Sequence, residues 1–236
     1  MIPRCARDDR CYAGGLVQPT ASLVVVLLLA ALGLSPAAAQ QPPHLTAGLE
    51  GAFTRARSRA TGATELLSGA TFGGEANLAG KRWRVRLGYG EGRLTADTGI
   101  AAPRSVTEGR AQLGIVAAPW LTLWAGPRAR SYKSSGVRQR WWFWEIAAEA
   151  RGTLFAERAY AFGGLAFAPA GTVDALPAFS RETGVAAGLA VRLPARGGGP
   201  WARLVYRVDQ TRLAGGRRET VEAISLGVAM ELRSPR

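Results

Sequence analysis

Cysteine is almost missing from this chain. The two cysteines, Cys5 and Cys11, both precede the first long apolar run, so the chain after that run has none. This excludes a disulfide framework and a thiolate metal site from the remainder of the chain. The same absence fits an exported protein, which crosses an oxidising compartment without mispairing.

Histidine is equally scarce, since His44 is the single one and precedes the first predicted strand. Histidine is the usual acid–base group near neutral pH, so the lack of any histidine within the predicted strands argues against a hydrolytic site. Glu145 and Glu149 could perform acid–base chemistry, but their alternate spacing favours a role as ion-pair partners. We therefore predict no catalytic residue, no metal site and no cofactor.

Long apolar runs are also scarce, because only the stretch from Leu23 to Leu34 qualifies. That run is shorter than the ~20 residues that a spanning helix needs, which disfavours a membrane anchor. It is followed by Pro36 and by small residues up to Ala39. Three arginines precede it: Arg4, Arg7 and Arg10. These three parts are typical of a secretory signal peptide, predicted at residues 1–39, with one domain over residues 40–236.

Acidic residues are too few to balance the basic ones, with 17 Asp and Glu against 30 Lys and Arg and a net charge of +13. Such an excess raises nucleic acid as a partner. However, the arginines are scattered through alternating segments, without a basic helical stripe or zinc-ligand spacing. Nucleic acid is therefore not expected as a partner.

What the chain does contain is alternation of apolar and polar residues, clearest in three segments between Arg181 and Leu232. In the last segment, apolar residues from Ile224 to Leu232 alternate with small or charged ones from Ala223 to Glu231. A period of two predicts β-strands. One apolar face and one charged or tiny face are typical of strands in a transmembrane β-barrel.

Weaker alternation extends this pattern upstream to Leu45 and gives about ten strands, with eight as the alternative count. The predicted fold is therefore an all-β, up-and-down antiparallel transmembrane barrel. Every second connection is short, and the others are predicted to be longer loops. Polar stretches suggest such loops at residues 55–62, 91–104 and 169–180. Pro127 cannot donate a ladder hydrogen bond, which predicts a bulge near it.

From Leu45 to Leu232 the chain resembles the small bacterial outer-membrane β-barrel proteins. The resemblance implies location in the bacterial outer membrane, contact with its lipid, and insertion by the barrel-assembly machinery. Members commonly end on an aromatic residue, whereas here Arg233-Ser234-Pro235-Arg236 follows Leu232. A soluble periplasmic carrier similar to the lipocalins is the alternative. Tryptophans near the strand ends predict the aromatic girdles: Trp83, Trp120, Trp142, Trp144 and Trp201.

The strand face opposite the apolar one is predicted to line the lumen, and it carries charges of both signs in near balance. A barrel of this size is little wider than one that side chains fill, so we predict a plug of ion pairs. A narrow ion path is the alternative. The predicted lumen arginines are Arg82, Arg84, Arg86, Arg110, Arg128, Arg130, Arg151, Arg192, Arg203 and Arg207. The predicted lumen acids are Glu50, Glu65, Glu75, Glu108, Glu145, Glu149, Glu182, Asp209 and Glu231.

Most of the remaining basic residues fall at the end of the barrel that carries the predicted long loops. Beside Trp142 and Trp144 they would lie at headgroup level, where guanidinium groups bind phosphates. We therefore predict a structural or surface-interaction role, in which a basic rim binds anionic surface glycolipid. The first candidates are Arg55, Arg57, Arg138 and Arg140. The alternative is that these arginines are solvated loop charges.

Overall fold

Alternation of period two in successive segments folds the chain into ten antiparallel strands in a computed structural model. The structure describes residues 43–60, 62–97, 102–155, 158–174, 177–194 and 199–232, so the predicted signal peptide lies outside the described residues. The strands are β1 (His44–Ala60), β2 (Ala63–Ala79), β3 (Trp83–Ala96), β4 (Arg104–Ala118), β5 (Leu121–Lys133), β6 (Arg138–Leu154), β7 (Ala159–Val173), β8 (Phe179–Arg192), β9 (Trp201–Leu213) and β10 (Arg218–Leu232). Within the described ranges no helix is long and apolar enough to cross a membrane.

Each strand pairs with its neighbours in sequence, and β1 closes the sheet by pairing with β10. In that closing pair Leu49 lies opposite Val228, and Phe53 lies opposite Ile224. The predicted all-β, up-and-down barrel is confirmed, and the count is ten strands. We call the end where β1 joins β2 the upper end, and the end where β1 begins and β10 ends the lower end.

The apolar face of the strands points outward, as the alternation predicts. Leu49 is 76% exposed, Phe72 and Leu226 are 67% exposed, and Leu165 is 66% exposed. The register keeps these side chains on one surface because partners across the sheet share a face. The result is a continuous apolar belt around the barrel.

The predicted loops at the upper end are mostly strand. β1 continues to Ala60 and pairs with Ala63 of β2, so residues 55–60 are not a loop. β3 continues to Ala96 and β7 to Val173. Above the apolar belt the outward residues become polar, which imitates a loop in the sequence although the pairing persists. β1 has 17 residues, against the ~9–11 that cross a membrane.

The bulge predicted near Pro127 is also wrong. The β5–β6 register passes Pro127, opposite Trp144, without a shift. Shifts occur instead in the β4–β5, β6–β7 and β8–β9 pairs. Beside the proline, a Cβ on Gly126 would lie 2.0 Å from the carbonyl oxygen of Ala111. A bare glycine next to the proline therefore lets the two strands approach closely and keeps the ladder in register.

Candidate functional site

The interior of the barrel is built around Arg128, which the alternation of β5 points into the lumen. Its guanidinium group reaches Glu145 and Glu182 at 3.0 Å, Glu108 at 2.9 Å and Asp209 at 2.5 Å. These carboxylates come from four different strands, and the Arg128 side chain is 3% exposed. One arginine therefore ties β5 to the walls on both sides of the lumen.

Arg130 lies two residues after Arg128 on the same face of β5 and extends this network towards the upper end. It binds Glu108 at 3.1 Å and Asp209 at 3.2 Å. Glu219, which is not among the predicted lumen acids, is buried 3.9 Å from Arg130 and accepts a hydrogen bond from Tyr132 at 2.7 Å. The predicted ion-pair plug is therefore present and includes this additional carboxylate.

A layer of apolar side chains lies in the lumen at the level of Tyr132 and above the Arg128 network. We call it the apolar disc. Nearly every strand contributes to it, and Leu94 and Phe143 are fully buried while Trp141 is 1% exposed. Its members are Ala56, Leu67, Leu94, Val106, Tyr132, Trp141, Phe143, Ala168, Leu213 and Val221, with Ala96, Val173 and Phe179 packed against them. The disc closes the upper lumen by hydrophobic packing.

The sequence interpretation missed the apolar disc because it treated the lumen face as made of charged or small residues. The signal was present in β6, where Trp141 and Phe143 alternate with Trp142 and Trp144, so that both faces are aromatic. Such a stretch is buried on its inner face as well as lipid-facing on its outer one. The upper lumen is consequently occupied by packed apolar side chains at this level.

Below the Arg128 network, a second set of ion pairs crosses the lumen. Arg86 binds Glu149 at 2.7 Å and stacks over the ring of Trp124 at 4.0 Å. The carboxylate of Glu75 accepts contacts from Arg110 and Arg203 as well as from Arg86. These residues were all assigned to the lumen face, and the structure brings them together.

Three of the predicted lumen arginines have no ion pair among the described residues. Arg82 is exposed in the turn before β3, because the strand begins only at Trp83. Arg84 faces the lumen, but its Nε atom is buried without a hydrogen-bond partner. Arg151 lies at the open lower end and stacks on the ring of Tyr160 at 3.5 Å. These three assignments to the ion-pair network are wrong.

Four of the five tryptophans predicted for the girdle face outward, and Trp201 does not. Trp120, Trp142 and Trp144 are 58%, 51% and 44% exposed, and Trp83 faces outward beside Gly80. Trp201 shares the parity of Arg203 and faces the lumen, where its indole nitrogen donates to Glu231 at 3.4 Å. Its position beside a short turn therefore misled the prediction.

The predicted glycolipid-binding residues all lie on strands rather than loops. Arg55 and Arg57 are in β1, and Arg138 and Arg140 are in β6. Each shares the outward parity of its strand, and Arg55, Arg138 and Arg140 are exposed. Arg138 and Arg140 continue the outward row of Trp142 and Trp144. The structure thus holds these cations on a rigid wall above the apolar belt.

No arrangement for metal binding is found in the ranges that the structure describes, since no group of three or more His, Cys, Asp or Glu side chains is placed to hold an ion. His44 is exposed at the lower end of β1. The lumen carboxylates Glu108, Glu145 and Asp209 are all bound by arginine. Their chemistry in this arrangement is that of ion pairing.

Comparison with solved structures finds bacterial outer-membrane proteins among the matches. The outer membrane protease OmpT from Escherichia coli matches 83% of this chain and 99% of its own, with a TM-score of 0.56 and 9% sequence identity. The beta domain of the Bordetella autotransporter BrkA matches 79% of this chain and 100% of its own, with a TM-score of 0.44 and 13% identity. Neisserial surface protein A matches 81% and 100%, with a TM-score of 0.40 and 11% identity.

No model of a known protein family matches the sequence. No curated protein matches it either. The fold is that of the bacterial outer-membrane β-barrel proteins, as the resemblance implied. Within that class, this chain is a ten-stranded barrel with a buried charged cluster in its lumen.

Proposed function

We propose that this chain is a closed, non-catalytic barrel of the bacterial outer membrane that acts at the cell surface, where its upper end binds anionic glycolipid. The apolar belt supports the membrane location, because a soluble protein rarely exposes apolar patches of more than a few hundred Å². The aromatic residues Trp120, Trp142 and Trp144 lie at the edges of that belt. This arrangement favours lipid around the barrel over the soluble carrier.

The observation that carries the proposal is a row of arginines across four adjacent strands at the upper end. Arg59 of β1 lies opposite Arg218 of β10, which lies opposite Arg212 of β9. Arg212 in turn lies opposite Arg181 of β8. Their neighbours Glu182, Thr211 and Glu219 are buried in the lumen, so the four arginines face outward. We call this set the arginine row.

Like charges directly opposite each other in a sheet are destabilising. Within the part of the chain that the structure describes, no carboxylate lies within 4.0 Å of the four guanidinium groups of the arginine row. Adjacent strands are ~4.8 Å apart, so a phosphate can reach two or more of these groups at once. Guanidinium binds phosphate through two parallel hydrogen bonds, which makes a phosphorylated headgroup the matching partner.

The rows below the arginine row match the profile of a glycolipid. Next toward the belt is a row of hydrogen-bonding side chains, in which Arg57 lies opposite Thr220 and Thr220 lies opposite Gln210. Two rows further down, Phe53, Ile224 and Tyr206 are apolar and exposed. From the upper end towards the apolar belt, the outer face thus changes from cationic to polar to apolar. This order matches the phosphate, sugar and acyl chains of a glycolipid.

Two features support the absence of catalysis and of solute passage. The lumen acids of the Arg128 network are bound by arginine, and His44 is far from them at the lower end. The apolar disc fills the upper lumen around Phe143 and Leu94, which are fully buried. A narrow channel would need a continuous wet path through this layer.

The glycolipid proposal is tested by titrating the purified barrel in detergent with a fluorescent bis-phosphorylated glycolipid and with its dephosphorylated form. We expect tighter binding of the phosphorylated form. This binding should weaken as salt is added, because the Debye screening length falls to ~3 Å at 1 M. The variant Arg59→Gln/Arg212→Gln/Arg218→Gln should lose this preference. Lys81→Gln/Arg82→Gln/Arg158→Gln removes the same charge from the lower end and should keep it. Equal binding of both lipids by the wild type would refute the proposal.

Membrane location has its own test in cell fractionation. We expect the protein in the outer-membrane fraction, extracted only by detergent and showing heat-modifiable migration on a gel. Recovery in a detergent-free periplasmic extract would instead identify a soluble carrier. This experiment does not depend on the glycolipid titration.

A further inference from the structure

The lower lumen contains an imbalance of charge around Glu75 of β2. Three arginines approach its carboxylate: Arg203 at 3.3 Å, Arg110 at 3.6 Å and Arg86 at 3.8 Å. They come from β9, β4 and β3. Three guanidinium groups therefore converge on a single, partly buried acid.

The surrounding acids Glu50, Glu108 and Glu149 restore the balance only in part, although they line the same cavity. Arg86 has a second carboxylate, Glu149, at 2.7 Å. In the described ranges, neither Arg110 nor Arg203 has any carboxylate other than Glu75 within 4.0 Å. Arg110 donates no hydrogen bond there, and the Nε atom of Arg203 is buried without a partner. Both guanidinium groups thus retain donors that point into the lumen.

These donors line a cavity of about 170 Å³. One wall is bare backbone at Gly73 and Gly90, inward residues of β2 and β3, whereas the side chain of Arg110 packs over Gly88. Hydroxyl groups of Thr54, Thr71 and Ser225 are also part of its lining. A cavity of ~150 Å³ accommodates a molecule the size of benzene, so this one has room for a small ligand.

The apolar disc determines the side from which the cavity can be reached. Leu94 and Val106 of the disc lie over its upper side. At the lower end the lumen residues are open to solvent, with the side chains of Arg192 and Glu231 exposed by 35% and 43%. A ligand would therefore enter from the lower end.

We propose that this cavity binds a small oxyanion of the phosphate or carboxylate type, held by Arg110 and Arg203 beside Glu75. The anion supplies a negative partner for Arg110 and Arg203, which share the carboxylate of Glu75 with Arg86. Charge-assisted hydrogen bonds from the two guanidinium groups hold it, and the glycine wall gives it space. This site is separate from the arginine row on the outer face, and neither proposal depends on the other.

The test is the unfolding midpoint of the purified barrel in detergent, measured in inorganic phosphate and in chloride at equal ionic strength. A ligand that binds only the folded state raises the midpoint in proportion to the logarithm of its concentration. We expect the midpoint of the wild type to rise with the logarithm of the phosphate concentration once that concentration exceeds the Kd. Arg110→Gln and Arg203→Gln should each weaken the phosphate affinity about 10- to 100-fold, the cost of one charge-assisted hydrogen bond.

Glu75→Gln provides the opposite arm of the test. Removing this carboxylate leaves Arg110 and Arg203 with no carboxylate within 4.0 Å among the described residues, so the variant should be less stable in chloride and respond more strongly to phosphate than the wild type. Arg84→Gln removes a lumen arginine that does not line the cavity and should respond as the wild type does. The triple variant of the arginine row should also keep the phosphate effect.

Heat-modifiable migration on a gel confirms that each variant has folded. The proposal is overturned by two results. One is a phosphate effect that is equal in the wild type, Arg110→Gln and Arg203→Gln. The other is a midpoint that is the same in phosphate as in chloride, for both the wild type and Glu75→Gln.

Discussion

Arg128 of β5 and Asp209 of β9 meet at 2.5 Å in the middle of the lumen. In the closed strand order, three strands separate β5 from β9 on the shorter path around the barrel. Both side chains are 3% exposed, so the pair is shielded from water. This contact connects opposite walls of the barrel, and its loss would leave several buried charges without a partner.

Arg128→Ala is therefore expected to lower the free energy of unfolding by ~3–5 kcal/mol, the usual cost of breaking a buried ion pair. The main cause is the four carboxylates left without their central cation. Urea unfolding in detergent micelles, followed by tryptophan fluorescence, measures the change.

Arg84→Ala is the matched control, since Arg84 also faces the lumen but has no carboxylate within 4.0 Å among the described residues. Its cost should stay below ~1 kcal/mol, as for substitutions away from buried networks. An equal loss for the two variants would contradict the central role of Arg128.

The apolar disc should contribute as much stability as an ordinary protein core. Phe143 is fully buried and stacks on Phe179, with ring centroids 5.8 Å apart. Phe143→Ala is expected to cost ~3–5 kcal/mol, because it leaves a cavity in packed surroundings. Phe155→Ala makes the same substitution in an 81% exposed turn and should leave the urea midpoint unchanged.

The wild-type barrel should conduct little when it is inserted into planar bilayers. The apolar disc closes the lumen at the upper end, and the Arg128 network crosses the lumen below it. We expect no large, stable conductance steps, with a general porin as the positive control for insertion. Frequent steps of porin size would show that the lumen opens.

The comparison of Trp201 with Trp142 shows what sequence could predict. Alternation is a local property, so it correctly gave the outward face of β6 and with it the position of Trp142. Trp201 was assigned from its place beside a turn, although its shared parity with Arg203 and Arg207 indicates the lumen. The fold and the lipid-facing surface were therefore readable from a period of two.

The contacts inside the lumen were not readable in the same way. Arg128 and Asp209 are 81 residues apart, and their meeting depends on the register of every pair between them and on closure of the barrel. The continuation of β1 through Arg55 and Arg57 was hidden because polar residues on the outward face imitate a loop. Pairing partners are set by the whole sheet, whereas composition reports one strand at a time.

Trp141 and Trp142 are adjacent in β6 and should report opposite environments. Trp141 is 1% exposed in the apolar disc, whereas Trp142 is 51% exposed on the outer face. In two variants that each retain one of these residues and carry phenylalanine at the other tryptophan positions, nitroxide-labelled lipids should quench Trp142 strongly and Trp141 weakly. The reason is that successive side chains of a strand point to opposite faces, so one indole contacts lipid and the other packs inside. Steady-state fluorescence in proteoliposomes measures both, and equal quenching would mean that β6 does not have this register.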